Sequence, residues 1–405
     1  MRAVVIGPGR IGCGFAGHLL AQSGYDLTFV GRGAIIDALE RTGSYTVRLV
    51  KGGQSADFAV HGVNALHLDD ARAVRALAEA DLIAVSVGPS LPSVAPLLAA
   101  ALAHRAAPAN VLAFENAPEA GPQLRRDVEA RLPSAHAGRH GFSGALVSRI
   151  VTRKQGGTGA EPIVLVGDPP SDFVVHGPEL RGRLPSIQGM RVVSDYRAYV
   201  QKKLFTFSAG HATTAYLGAL KGYRYIHAAI RDLEIRARVL AAMEEGRRGL
   251  AAEYGSELAG TYRELLAIVA RFENAALNDP LERVGRDPKR KLGCDDRIVG
   301  AALMAERAGI RPLRLALAAA AAMCFQCPAD ASACALQRDV DERGPAAVIE
   351  SVAGLDPASG VGRLVTQQWR RLAEGRAPDA KLLSLDRRMW SWRADVEPAP
   401  LRLIA

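Results

Sequence analysis

Arg2-Ala3-Val4-Val5-Ile6-Gly7-Pro8-Gly9-Arg10-Ile11-Gly12-Cys13-Gly14-Phe15 runs from a short apolar strand pattern through a glycine-rich turn into a helical pattern that reaches about Gln22. Asp26–Val30 follows as a second strand, because Leu27, Thr28, Phe29 and Val30 are good strand formers. Strand, glycine turn, helix and strand in this order make the unit whose turn can cradle a pyrophosphate. Gly7 permits the tight turn, Gly9 lets the backbone approach the phosphates, and Gly12 lets the helix pack closely on the strand. The phosphates then meet unsatisfied N–H groups at the helix start. Gly7, Gly9, Arg10, Ile11 and Gly12 are therefore candidate dinucleotide contacts, weighed against a glycine turn that binds nothing.

Working outward, Asp81–Val87 reads as a third buried strand ending at Gly88-Pro89, and Gly88 joins the candidate cofactor contacts. Asn110–Phe114 reads as a fourth, ending at Glu115-Asn116, and Gly141–Val151 and Pro162–Gly167 are expected to extend the same sheet. Strands alternating with helical stretches imply an α/β fold with a doubly wound, Rossmann-type parallel sheet. After about Ser194 the pattern changes. Tyr196–Gly218, Tyr225–Tyr254, Ala259–Asn274, Asp296–Ala308 and Leu313–Cys324 carry helical spacing with little strand signal, and Gly354–Ser359 separates two later helices. The expected organisation is a dinucleotide-binding domain over residues 1–193, a mainly α-helical substrate domain over 194–372, and a tail over 373–405. That tail carries Pro378, Pro398 and Pro400 with Trp390 and Trp392.

Composition narrows the function. A chain of 405 residues suits two cores, and 49% hydrophobic with 23% charged residues is ordinary for a soluble enzyme. The formal charge of +9 would admit nucleic acid, but aromatics are only 5% and are not interleaved with the basic residues, so an anionic small substrate and cofactor fit better. No apolar run reaches the roughly twenty residues of a membrane span, and the opening segment does not read as a signal peptide; a cytoplasmic protein is expected. Five cysteines, Cys13, Cys294, Cys324, Cys327 and Cys334, read as reduced thiols, and no metal is expected.

The second strand ends Phe29-Val30-Gly31-Arg32-Gly33. No carboxylate stands at its tip to accept ribose hydroxyls, whereas Arg32 can fork onto a 2′-phosphate, so the expectation is NADP, with NAD possible if Arg32 is merely solvated. In the second half, Lys203-Leu-Phe-Thr-Phe-Ser208-Ala-Gly-His211 puts Lys203 and His211 eight apart, on one helix face, with Ser208 near it. Oxidising a secondary alcohol needs a base for the hydroxyl proton, and a lysine partly withdrawn from water can serve. Spacing alone also allows the pair to be ordinary surface and core residues.

At this point the chain resembles the polyol-specific long-chain dehydrogenase/reductase family. The matching segments run in order from Gly7 to about Arg371: Gly12-Cys-Gly14-Phe15, Val87-Gly88-Pro89, Glu115-Asn116, Ser148-Arg-Ile-Val151, Leu184–Met190, Lys203-Leu-Phe-Thr, Gly210–Gly218, Arg271-Phe-Glu-Asn274 and Glu282–Leu292, with Gly344-Pro345 and Gly354-Leu-Asp356 as late echoes. The resemblance implies metal-free hydride transfer with Lys203 as acid/base, His211 and Asn116 as its catalytic companions, and Ser208 where the family has asparagine. Serine offers one donor where the amide offers two. Cys13 in place of the usual arginine and Gly31-Arg32 in place of the usual acidic tip are further departures. Arg283, Arg286, Lys289, Arg290, Lys291 and Arg297 fall within one family segment, where a phosphorylated substrate would need fixed cations. Arg283, Arg286, Arg290 and Lys291 are the substrate candidates, against a merely solvated helix face.

The expected reaction interconverts a phosphorylated polyol and its keto sugar phosphate, of the mannitol 1-phosphate and fructose 6-phosphate type, in a monomer or homodimer. The alternatives are an unphosphorylated polyol, a sugar acid or a specialised-metabolite intermediate as substrate, or a nucleotide-binding regulator of little turnover.

Overall fold

The computed structural model describes residues 1–115, 119–156, 163–170 and 173–374. The strands are β1 (Arg2–Ile6), β2 (Asp26–Gly31), β3 (Ser44–Lys51), β4 (Gln54–His61), β5 (Asn64–His67), β6 (Leu82–Val85), β7 (Asn110–Ala113), β8 (Gly141–Val147), β9 (Val151–Gln155), β10 (Val164–Gly167), β11 (Phe173–His176) and β12 (Met190–Val193). Eight of them form one sheet in the order β12-β11-β8-β7-β6-β1-β2-β5. Every neighbouring pair from β5 to β8 is parallel, and only β8 with β11 is antiparallel. The strand order reverses between β1 and β6, which is where a doubly wound sheet opens its ligand crevice. Ile6 pairs with both Val30 and Val85, so the turns after β1, β2 and β6 leave the sheet at the same edge. Gly7, Arg32 and Gly88 are thereby collected at one place.

One expectation needs correction. Residues 164–167 do not extend the main sheet; β10 lies in a second, four-stranded sheet of order β4-β3-β10-β9, parallel to β3 and antiparallel to β9. A short apolar run states that it is buried but not in which sheet. The β3–β4 hairpin turns at Gly52-Gly53, both at positive φ (56° and 80°), and this glycine pair between two alternating runs was a hairpin signal in plain view. The second sheet backs the glycine-rich turn: a Cβ on Gly14 would fall 2.6 Å from Val151 Cγ1, so only glycine allows this approach.

From Tyr196 on, the described residues are almost wholly helical. Tyr196–Lys203, a wider π-helical stretch Leu204–Ser208, and Ala209–Leu220 form one continuous rod. It packs on the helices Leu233–Tyr254 and Leu313–Met323. All residues from Leu315 to Met323 are buried, and their alanines let the surrounding helices come close. The expected helix Tyr225–Tyr254 is in fact broken: Ile226–Ala229 ends, and Asp232 caps the new start by accepting from Glu234 N and Ile235 N. The late helices are Ala331–Ala353, broken in two by a kink at Gly344 (φ 79°) before Pro345, and Gly360–Ala373. Trp390 and Trp392 lie outside the described residues. Among the described residues no helix is long and apolar enough to cross a membrane.

Candidate functional site

The glycine turn has the geometry that its sequence demands. Gly7 sits at φ 95°, donates to Val30 O at 2.9 Å, and has no room for a side chain, since a Cβ would fall 2.2 Å from Ser86 O. A Cβ on Gly12 would strike Gly7 O at 1.9 Å. At Gly9 the same Cβ would meet nothing within 4 Å, which leaves the face of the turn open to an approaching group. Tight closure behind and open space in front fit the phosphates of a dinucleotide. Gly88 follows β6 at φ 62° and donates to Glu115 Oε1 at 2.6 Å. Burial pushes the Glu115 carboxyl up, while the backbone bonds from Gly88 and Val87 oppose the shift. Glu115 thus braces the turn after β6, a role that its sequence context did not reveal. Arg32 stands exposed at the tip of β2.

The second group of candidates lies on the lysine rod of the helical half. The Nζ of Lys203 is 5.9 Å from the centre of the Phe207 ring, and Phe207 meets the His211 ring edge-on at 5.6 Å. Lys203, Phe207 and His211 therefore form a row along one side of the rod. Burial lowers the Lys203 pKa to about 7, with help from the nearby charges of Arg297 and Arg271. His211 stacks on Phe272 at 4.8 Å, and its Nε2 lies 3.2 Å from Asp279 Oδ2, off the line of a good hydrogen bond. Burial holds the His211 pKa down, against the pull of Asp279, so the ring is neutral at pH 7. Ser208 is buried in the widened stretch of the rod. Widened turns of this kind are frequent at functional sites. Asn116 lies outside the described residues.

The basic segment divides in two. Arg283 forks onto Asp279, with Nε–Oδ1 at 2.5 Å and Nη2–Oδ2 at 2.6 Å. Burial would raise the Asp279 pKa, but His211 and Arg283 together hold it well below the usual carboxylate range. Arg10 of the glycine turn feels this group directly. Burial lowers its pKa first, Arg283 and Arg286 lower it further, and Asp279 opposes them. Arg10 from the glycine turn thus lies in the field of Arg283, Arg286 and the one carboxylate of Asp279, and positive charge is in excess there. The rest of the segment is paired, Lys289 with Asp339 of a later helix at 2.6 Å and the others within the segment itself. Arg290 pairs with Asp287 (2.8 Å) and Asp296 (2.9 Å), while Arg297 also pairs with Asp296 (2.6 Å). Lys291 turns inward and donates to Val284 O at 2.7 Å and to Arg286 O, which fixes the backbone that carries Arg286. Asp279 was missed as a functional residue, although its spacing of four from Arg283 was a local signal. Among the described residues no group of three histidine, cysteine, aspartate or glutamate side chains could hold a metal ion.

A doubly wound sheet with a phosphate-ready turn, joined to a helical half that presents a half-buried lysine and histidine, defines an oxidoreductase of the Rossmann class. The chain belongs to the mannitol dehydrogenase family: the family's Rossmann domain matches residues 1–189 and its C-terminal domain matches residues 195–373. A mannitol-1-phosphate 5-dehydrogenase of Brevibacillus brevis is 36% identical over 387 residues, covering 92% of this chain and 99% of that protein. Among solved structures, Pseudomonas fluorescens mannitol 2-dehydrogenase in ternary complex with NAD and D-mannitol superposes with a TM-score of 0.76 at 20% identity, over 96% of this chain and 94% of that one. A substrate-free D-sorbitol dehydrogenase gives 0.72 at 16% identity, over 92% and 93%. The family resemblance and the fold class read from the sequence are both borne out.

Proposed function

We propose that the protein interconverts a phosphorylated polyol and its keto sugar phosphate, with Lys203 as the acid/base. The observation that carries the phosphate is the surplus of positive charge where Arg10 lies in the field of Arg286 and of Arg283, the latter forked onto Asp279. A phosphate monoester placed there would neutralise that surplus by accepting forked hydrogen bonds from the guanidinium groups. The name of the Brevibacillus relative, which acts on mannitol 1-phosphate, supports the same substrate class.

Gly7–Gly12 would hold the pyrophosphate of the dinucleotide, whose nicotinamide would supply or take up the hydride. Lys203 does the proton work: its neutral amine takes the hydroxyl proton during oxidation, and its ammonium returns one during reduction. A lysine with its pKa near 7 has both forms available at neutral pH. His211, kept neutral by burial and stacked on Phe272, gives its one ring N–H to the reacting oxygen rather than to Asp279, with Asn116 and Ser208 as its catalytic companions. Arg290 acts through its ion pairs and Lys291 through the carbonyls it ties, so both shape the segment that Arg283 and Arg286 present. Arg32 at the β2 tip supports NADP as the preferred dinucleotide. NAD stays in the test because the mannitol 2-dehydrogenase structure holds it.

Initial rates with mannitol 1-phosphate and fructose 6-phosphate, against mannitol and fructose, with each dinucleotide, test this reading. The phosphorylated pair should be favoured in kcat/KM by at least about tenfold, the worth of one charge-assisted hydrogen bond to the phosphate. Equal rates for free and phosphorylated substrates would overturn it in favour of an unphosphorylated polyol. That second reading has its own observation: Arg283, Arg290 and Lys291 already have partners within the chain.

A further inference from the structure

The helix Tyr262–Phe272 ends against the aromatic group beside Lys203, and Arg271 stands at that junction. Its Nε donates to Asp168 Oδ2 at 2.6 Å, and its Nη2 donates to Ser148 O. Both anchors belong to the nucleotide-binding half: Ser148 follows β8 and Asp168 follows β10. Asp168 is buried and its other oxygen accepts from Ile150 N at 2.8 Å, so the acceptor is itself fixed. Next along the chain, Arg149 donates to Gly14 O at 2.9 Å and contacts His18 Nδ1 at 3.0 Å on the glycine-turn helix. On its other side Arg271 lies over Phe207, with its guanidinium carbon 4.6 Å from the ring centre. This is the ring over which Lys203 Nζ also lies.

Resting on the reading of Lys203 as acid/base, we propose that Arg271 is a positioning residue through which the contact between the two halves tunes Lys203: Asp168 and Ser148 fix a guanidinium over Phe207, and that fixed charge discourages the neighbouring amine from keeping its proton. The other charges around Lys203 are Arg297, Arg290 and Asp296 from the segment after Pro288, and the His211–Asp279 pair. Arg297 and Arg290 are closed onto Asp296 within the helical half. Arg271 is tied across to the nucleotide-binding half, so its effect depends on the two halves being joined. A nearby fixed positive charge raises the energy of an ammonium and leaves an amine almost untouched.

Competitive acetylation of the unliganded protein with acetic anhydride, from about pH 5 to 10, tests the tuning without turnover. Labelling of Lys203 is read by tandem mass spectrometry, with the adjacent Lys202, paired to Glu264 at 3.2 Å, as reference. In Arg271→Gln the Lys203 midpoint should rise by about 0.5 to 1 pH unit, while Arg271→Lys, which keeps the charge, should stay within about 0.2 of wild type. Arg271→Met, which keeps an apolar stem against Phe207, gives the same reading should the glutamine variant fold poorly. A midpoint that does not move in the neutral variants, even with a lowered melting temperature, makes Arg271 a structural clamp alone and overturns the proposal. The kcat profile for alcohol oxidation keeps the two readings apart. If the labelling midpoint rises and the kinetic profile does not, Arg271 tunes Lys203 but Lys203 is not the acid/base.

Discussion

Two lysines of the helical half, Lys291 buried and Lys203 half-buried, have pKa values pushed down by the same cause and are built for opposite purposes. Lys203 is lowered to about 7 and Lys291 to about 6, in each case by burial first and by Arg297 next. Lys291 spends its donors on two backbone carbonyls, Val284 O and Arg286 O. Lys203 lies over the Phe207 ring, in a row with His211 and within the field of Arg271. The comparison teaches that a shifted pKa identifies a group withdrawn from water, and that the surrounding atoms decide whether it moves protons or holds backbone.

The largest separation between them should be kinetic. Lys203→Ala is expected to lower kcat for hydride transfer by about 10²–10⁴-fold, the usual worth of a general acid/base, with the dissociation constant for the dinucleotide almost unchanged. Residual turnover above one tenth of wild type, measured by stopped-flow absorbance, would break the contrast. In wild type, kcat for oxidation should rise with pH through about 7 as Lys203 loses its proton, and the reduction profile should fall through the same point.

Next in size is the group that Lys291 supports. Arg286 is exposed and has no ion-pair carboxylate among the described residues, while its own carbonyl is held by Lys291. Arg286→Ala should raise KM for a phosphorylated substrate by about 10- to 100-fold, the usual cost of removing a charge-assisted hydrogen bond, and leave kcat within a few-fold. A fall in kcat with KM unchanged would place Arg286 at the reacting carbon instead. Lys291→Met should cost about 2 kcal/mol of stability in a urea titration, because two inward carbonyls are left without their donor. It should also raise KM in the direction of the Arg286 variant. A stable Lys291→Met protein with normal KM would show that the hydrogen bonds to those carbonyls position nothing.

What the sequence made legible follows the same division. The glycine turn could be read because steric demand writes itself into residue type: at Gly7 and Gly12 no other residue fits. The placing of Lys203 and His211 on one side of a helix could be read because helical spacing is local, and the wider turns at Leu204–Ser208 do not break it; Phe207 between them came from the structure. The pairing of Arg271 with Asp168, 103 residues away, and of Asn274 with Val50 O, 224 residues away, left no local trace. The segment Arg271-Phe-Glu-Asn274 stood out only through family resemblance, and its task of joining the two halves came from the fold. The basic segment looked uniform for a related reason. Asp287 and Asp296 stand within the same stretch, yet nothing in the order of residues tells which cations they silence and which point to the crevice.

The smallest effect is the most discriminating, because it concerns stability alone. A lysine whose pKa in the fold is lowered from 10.5 to about 7 binds fewer protons folded than unfolded between those values. Stability therefore rises with pH through that window, and below about 7 the full penalty of burying the ammonium persists. Lys203→Met removes that penalty and keeps an apolar stem of similar length beside Phe207, so its melting temperature should equal or exceed wild type by about 1–3 °C at pH 6. The advantage should shrink as pH rises towards 9. Lys291→Met should instead melt below wild type at every pH in this range, since two carbonyls without a donor outweigh the relief of a buried charge. A Lys203→Met protein that melts lower than wild type at pH 6 would mean that Lys203 also holds the fold together, and the two lysines would no longer stand apart.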